Sequence, residues 1–133
     1  MKQSIRARHP TKDAREVVLS FIDALNNENF DIAATYLDAK MKFEGVMGSR
    51  DGADVYITDM EKMKFKYAIQ KTFAEGNEVC LFYDITMSGI KIFSCGWYTI
   101  KEGKIAKFKV IFDPRPLLEK SNKNKAPVNA VGA

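Results

Sequence analysis

The side chains able to do chemistry are few, and most carry hydroxyls. Tyr83, Ser94 and Tyr98 fall on alternating positions of two neighbouring extended stretches. Such residues either present hydroxyls into a shared pocket or sit in the core with their hydroxyls satisfied. Tyr56, Met60 and Met63 recur at helical spacing, which suits plain packing or an adaptable pocket wall. The chain has one histidine, His9 beside Pro10, and two cysteines, Cys80 and Cys95. One histidine leaves no His-rich metal site, and two thiols make no disulfide framework. The cysteines read as small core residues rather than a redox pair. Asp84, mid-strand between Tyr83 and Ile85, would need a partner if buried. No glycine-rich phosphate cradle, nucleophile elbow or zinc spacing is present in the sequence. No metal and no cofactor is expected.

The elements that position these residues change period once along the chain. In DAREVVLSFIDALNN, Ala14, Val18, Phe21, Ile22 and Leu25 form one helical stripe, with Thr11 or Asp13 as cap. Asn29 caps a second, short helix bearing Ile32, Ala33, Tyr36 and Leu37. A brief extended piece spans residues 41–45, followed by a loop, VMGSRDG, and a third helix beginning at Asp51. From Lys64 the period becomes two, giving strands over 65–74, 78–87, 90–101 and 104–112. The short turns at 75–77, 88–89 and 101–103 each hold a glycine, so the strands form an antiparallel meander. Helices followed by an antiparallel sheet is an α+β layout, with the helices on one face.

If Ser88-Gly89 is a two-residue turn, Tyr83 lies opposite Ser94, Leu81 opposite Gly96 and Val79 opposite Tyr98. That face also holds Phe108, Val110 and Phe112. The other face holds Cys80, Phe82, Asp84, Phe93, Cys95 and Trp97. Both are apolar, and nothing in the chain remains to cover the second. A second copy would cover it, so a homodimer through the outer sheet face is expected.

The 133 residues suit one domain, and 46% hydrophobic content suffices for one core. Residues 1–10 form a basic segment and residues 119–133 a small, polar tail, both expected to be flexible around a single domain over 11–118. The tails hold the positive excess, leaving 11–118 with 15 basic and 16 acidic residues. Nucleic-acid binding is therefore not expected, and Lys101, Lys104, Lys107 and Lys109 read as a solvated strand face. No run approaches the roughly 20 apolar residues of a membrane helix, and no leader is evident. A cytoplasmic protein with no membrane partner is expected.

FIDALNNENFDIAATYLDAKMKFEG and GKIAKFKVIFDPRPL resemble the opening helix pair with first strand, and the final strand, of the nuclear transport factor 2-like superfamily. The resemblance runs from about Lys12 to Leu118 and is nearest to the SnoaL-like and ketosteroid-isomerase-like branch. It implies a cone-shaped, cystatin-like α+β barrel, commonly dimeric, with a pocket between helices and sheet. That fold hosts isomerases, cyclases, hydrolases, dehydratases and non-catalytic binding domains. In the steroid isomerases a carboxylate near the end of the first strand shuttles a proton, and that position falls at Glu44. Glu44 also alternates with Met41 and Phe43 and shares a face with Lys42, as an ordinary surface glutamate would. The family's two dienolate donors fall at Ser20 or Phe21 and at or near Gly96, where neither donor type is present. The steroid-isomerase mechanism is therefore not expected, whereas the pocket aromatic of the last strand is kept as Phe112. The resulting expectation is a site for a small, mostly apolar molecule lined by Tyr56, Met60, Tyr83, Ser94, Tyr98, Phe108 and Phe112. Glu44 would be the base if isomerase- or cyclase-type proton transfer occurs, and a non-catalytic ligand-binding or interaction domain is the alternative.

Overall fold

The computed structural model describes residues 13–124, with side chains through Lys120. Helix α1 (Ala14–Asn26) starts where the Asp13 carboxylate accepts from the Glu16 backbone N–H at 2.9 Å. Thr11, the other expected cap, and the basic segment 1–10 lie outside the described residues. The α1 stripe buries Val17, Val18, Phe21, Ile22, Ala24 and Leu25. Helix α2 (Phe30–Thr35) is one and a half turns and buries Ala33 alone. Ile32, expected on its inner stripe, is exposed, and Asn29 makes no side-chain capping bond.

Two strands exceed the sequence reading. Strand β1 (Leu37–Gly45) is longer than the extended piece expected there, and β2 (Gly48–Asp51) occupies what reads as a loop. They pair antiparallel as a hairpin. Gly52, at φ 101°, then turns the chain into α3 (Ala53–Met63), which buries Ala53, Tyr56, Ile57 and Met60. The meander follows as β3 (Lys66–Glu75), β4 (Glu78–Met87), β5 (Ile90–Lys101) and β6 (Lys104–Phe112). The six strands lie in the order β2-β1-β6-β5-β4-β3. Strand β1 joins the meander by parallel pairing with β6, a contact that closes over everything between them in sequence.

Register follows the turns. Ser88 and Gly89 both have positive φ, 51° and 79°, the two-residue geometry that suits a hairpin's twist. Tyr83 accordingly faces Ser94, Leu81 faces Gly96 and Val79 faces Tyr98. The alternation of buried and open residues along β4 to β6 puts one face of the sheet against α1 and α3. The architecture is α+β, with helices against one side of a curved six-stranded sheet.

A fourth helix, α4 (Arg115–Asn124), continues beyond residue 118, where the composition turns polar. Its start is fixed by Asp113, which accepts from the Arg115 backbone N–H at 3.0 Å and from its guanidinium. That guanidinium holds the Asp113 carboxyl below its ordinary range. Leu117 is buried in the common core, and the Lys120 ammonium donates to the Ser88 carbonyl at the β4–β5 turn. The remainder of the polar tail, 125–133, lies outside the described residues.

The edge strand β3 is held by a side chain acting as a strand. Asn26 Nδ2 donates to the Tyr67 carbonyl at 2.8 Å, and its Oδ1 accepts from the Tyr67 N–H at 2.7 Å. Lys66 Nζ donates to the Asn26 carbonyl at 2.9 Å and to Glu28 at 2.8 Å, which keeps the Glu28 carboxyl below its ordinary range. Removing the amide of Asn26 strands both polar groups of Tyr67. Asn26→Ala is expected to lower stability by about 2 kcal/mol in denaturant unfolding.

Candidate functional site

The interior between the sheet and the helices is built from aromatic rings on six elements. Phe21 comes from α1, Phe43 from β1, Tyr56 from α3, Tyr83 from β4, Tyr98 from β5 and Phe108 from β6, all buried. Phe108 is the hub. Its centroid lies 4.8 Å from stacked Tyr98, 5.0 Å from Phe43 and 5.2 Å from edge-on Tyr56. Tyr67 from β3 joins through Tyr83 at 5.3 Å. These are separations at which rings attract, and they fill the middle of the cone.

Four phenol groups gather in this apolar surround. Tyr83 Oη and Tyr98 Oη are 2.7 Å apart, and Tyr67 Oη donates to Met60 Sδ at 3.7 Å. The two tyrosines meet because position 96 carries no side chain. A Cβ there would collide with the Tyr83 hydroxyl and stand 2.7 Å from Tyr98 Cε1. Burial raises the Tyr56, Tyr83 and Tyr98 hydroxyls well above their ordinary value of 10.0, and raises Tyr67 too. They are neutral phenols, suited to donating hydrogen bonds and not to taking protons. Ser94, opposite Tyr83 in register, donates to the Ile92 carbonyl at 3.0 Å and is the one buried polar residue among the described residues besides the tyrosines. Phe112, paired with Ser94 across β5 and β6, sits at the rim and is 9% exposed.

All seven lining residues expected from sequence, Tyr56, Met60, Tyr83, Ser94, Tyr98, Phe108 and Phe112, are thus buried and face the same interior. Phe21, Phe43 and Tyr67 share it and were missed. The signal for Tyr67 was its alternation with Phe65, the two buried positions flanking half-buried Lys66. Glu44 does not belong to this interior. It is on the outward phase of β1, its side chain is 66% exposed, and its carboxylate lies 3.7 Å from Lys109 Nζ. The pleat decides this: buried Phe43 points to the rings, so its neighbour must point away.

A SnoaL-like domain model matches residues 18–108. The chain belongs to the SnoaL-like family. An NTF2-like protein of unknown function from Cytophaga hutchinsonii is 48% identical over 89% of this chain and 99% of its own, with a TM-score of 0.78. A Shewanella denitrificans protein described as a SnoaL-like polyketide cyclase has 13% identity over 83% of this chain and 97% of its own, TM-score 0.72. An LEH-like epoxide hydrolase of M. tuberculosis has 22% identity over 83% and 90%, TM-score 0.69. The last two share the fold. No curated protein matches the chain.

This SnoaL-like domain also has an apolar outer sheet face. Phe73, Phe82 and Phe93 form a ring ladder at 6.1 and 6.0 Å, with Phe93, Trp97 and Ile111 about half exposed or more. Cys80 and Cys95 lie on this face as half-buried free thiols, and burial beside Cys80 raises the Cys95 thiol. Asp84 is half-buried on the same face. Among the described residues, no three or more His, Cys, Asp or Glu cluster as a metal site would need, and no helix is long and apolar enough to cross a membrane.

The hydroxyl pair makes glycine a requirement at position 96. Gly96→Ala is expected to cost about 3 kcal/mol, because the new methyl must displace two locked rings. Thermal unfolding checks this, and Tyr83→Phe in the same chain should restore part of the loss by vacating the oxygen's place.

Proposed function

We propose that this SnoaL-like domain binds a small, mostly apolar molecule carrying a hydrogen-bond-accepting oxygen, such as a planar carbonyl compound, between the helices and the sheet. The observation that carries it is the Tyr83–Tyr98 pair. Two hydroxyls hold two protons, and the bond between them uses one. The second can turn toward a ligand oxygen placed beside the pair, in a buried surround where matching a donor is worth most. Because the rings fill this interior, a ligand enters by parting them: its oxygen would take that proton at the pair while Phe108 and Tyr56, 5.2 Å apart, move aside around its apolar body. Met60 and Met87 at the wall are unbranched and can change rotamer to admit it. Binding, rather than proton transfer, is the reading favoured here. The carboxylate that the family resemblance nominates as base, Glu44, faces outward, and Asp59, the mostly buried carboxylate one turn from Tyr56, is tied to Arg50 at 2.8 Å.

Thermal-shift screening of planar ketones and phenols tests this, since binding to the folded state raises the melting temperature. A compound that stabilises the wild type should lose about tenfold in affinity for Tyr98→Phe or Tyr83→Phe, the worth of one buried hydrogen bond. Equal affinity for wild type and both phenylalanine variants contradicts the reading.

The same protein is proposed to work as a homodimer through the outer face, supported by the Phe73–Phe82–Phe93 ladder, exposed at Phe73 and Phe93, with exposed Ile111. Light scattering at micromolar concentration should give twice the chain mass of 15.0 kDa, and Phe93→Asp should return it to one. A wild-type monomer contradicts this.

A further inference from the structure

The outward-facing side chains of four adjacent strands form two cross-strand rows away from the phenol interior. Along the first, register places Asp51 of β2 beside Lys42 of β1, Lys42 beside Lys107 of β6, and Lys107 beside Thr99 of β5. Along the second, Ser49 stands beside Glu44, Glu44 beside Lys109, and Lys109 beside Trp97. The two rows, with Phe43 and Phe108 between them, line a concavity of about 460 Å³, within the range of sites for small molecules.

The charges in this concavity are left incompletely matched. Lys42 Nζ is 3.8 Å from Asp51 and Lys109 Nζ is 3.7 Å from Glu44, both beyond hydrogen-bond length. Lys107 has no acidic partner within ion-pair distance among the described residues, and its register neighbour across β1 is another lysine. Like charges on directly neighbouring positions repel. A pair of ammoniums beside a Thr99 hydroxyl is a place where an oxyanion would relieve that repulsion. In the next row the indole of Trp97 is 48% exposed, with the Lys109 ammonium 5.9 Å from its ring. It offers a planar ring a stacking surface one row from the ammoniums.

We propose that this outer groove binds a small organic anion with a planar ring. The carboxylate or phosphate head lies between Lys42 and Lys107 with Thr99 as donor, and the ring lies on Trp97. This site is separate from the interior one and does not rest on it. It adjoins the apolar ladder through Trp97, so a ligand here would sit at the border of the dimer face.

Trp97 is the single tryptophan of the chain, so its emission reports this groove directly. The full chain is titrated with phenyl phosphate at low ionic strength, followed by Trp97 fluorescence and by calorimetry. Benzoate serves as the alternative head, benzamide as the ring without charge, and inorganic phosphate as the head without ring. The expected result is saturable binding of phenyl phosphate or benzoate, weaker binding of inorganic phosphate, none of benzamide, and loss of affinity on adding salt. Lys107→Ala and Lys42→Ala should each weaken it about fivefold, and Lys107→Arg should retain it. Both alanine positions are exposed, so the fold survives the change. Absence of saturable binding, including through closure of the groove by a second copy, overturns the proposal. So does equal binding of benzamide, or affinity unchanged in both alanine variants.

Discussion

The interior of this protein depends on a missing side chain. Gly96 leaves the floor of the sheet open at one point, and the Tyr83 hydroxyl from the next strand occupies that space, 2.7 Å from the Tyr98 hydroxyl. From that contact the arrangement of the rings follows. Tyr98 is held flat against Phe108, Phe108 gathers Phe43 and Tyr56, and Tyr83 meets Tyr67. Four phenol oxygens are kept in a region whose other side chains are almost all apolar, where a hydrogen bond is electrostatically strong. The space over Gly96 is thus filled by an oxygen arriving from a neighbouring strand.

The pleat then divides the remaining chemistry. Every second residue of β4, β5 and β6 feeds the ring cluster, and the alternate residues build a face that is apolar on one side and lysine-rich on the other. Glu44 and Phe43 are neighbours in sequence and belong to opposite worlds: one pairs with Lys109 in water, the other packs on Phe108. A single strand therefore serves both faces. This is why a carboxylate near the expected family position has no access to the phenols.

How much of this could be read from sequence varied with the kind of signal. The meander was legible because its turns carry Ser88-Gly89 and similar glycine pairs, and a two-residue turn fixes register; hence Tyr83 against Ser94 and the inner face from Val79 to Phe112 could be derived. The first strand was only half visible. Its pairing with β6 shifts register between Leu37 and Lys42, so the period-two signal starts only at Met41. The short β2, Gly-Ser-Arg-Asp, has no apolar residue to announce a strand, and forms because β1 offers it an edge. Helix α4 is polar through most of its length and is anchored by buried Leu117 and by Lys120 on the Ser88 carbonyl, tertiary contacts that composition does not reveal. The direction of Glu44 was left open in sequence, where family position and strand phase disagree; the structure follows the phase and turns it outward.

The Tyr83–Tyr98 pair is proposed to hold one proton for a guest. A crystal structure of the protein soaked with a planar ketone is the decisive experiment. The ketone oxygen should lie within hydrogen-bond distance of one of these two hydroxyls, with Met60 or Met87 moved aside. A ketone bound elsewhere, with the phenol pair and its rings undisturbed, would contradict it.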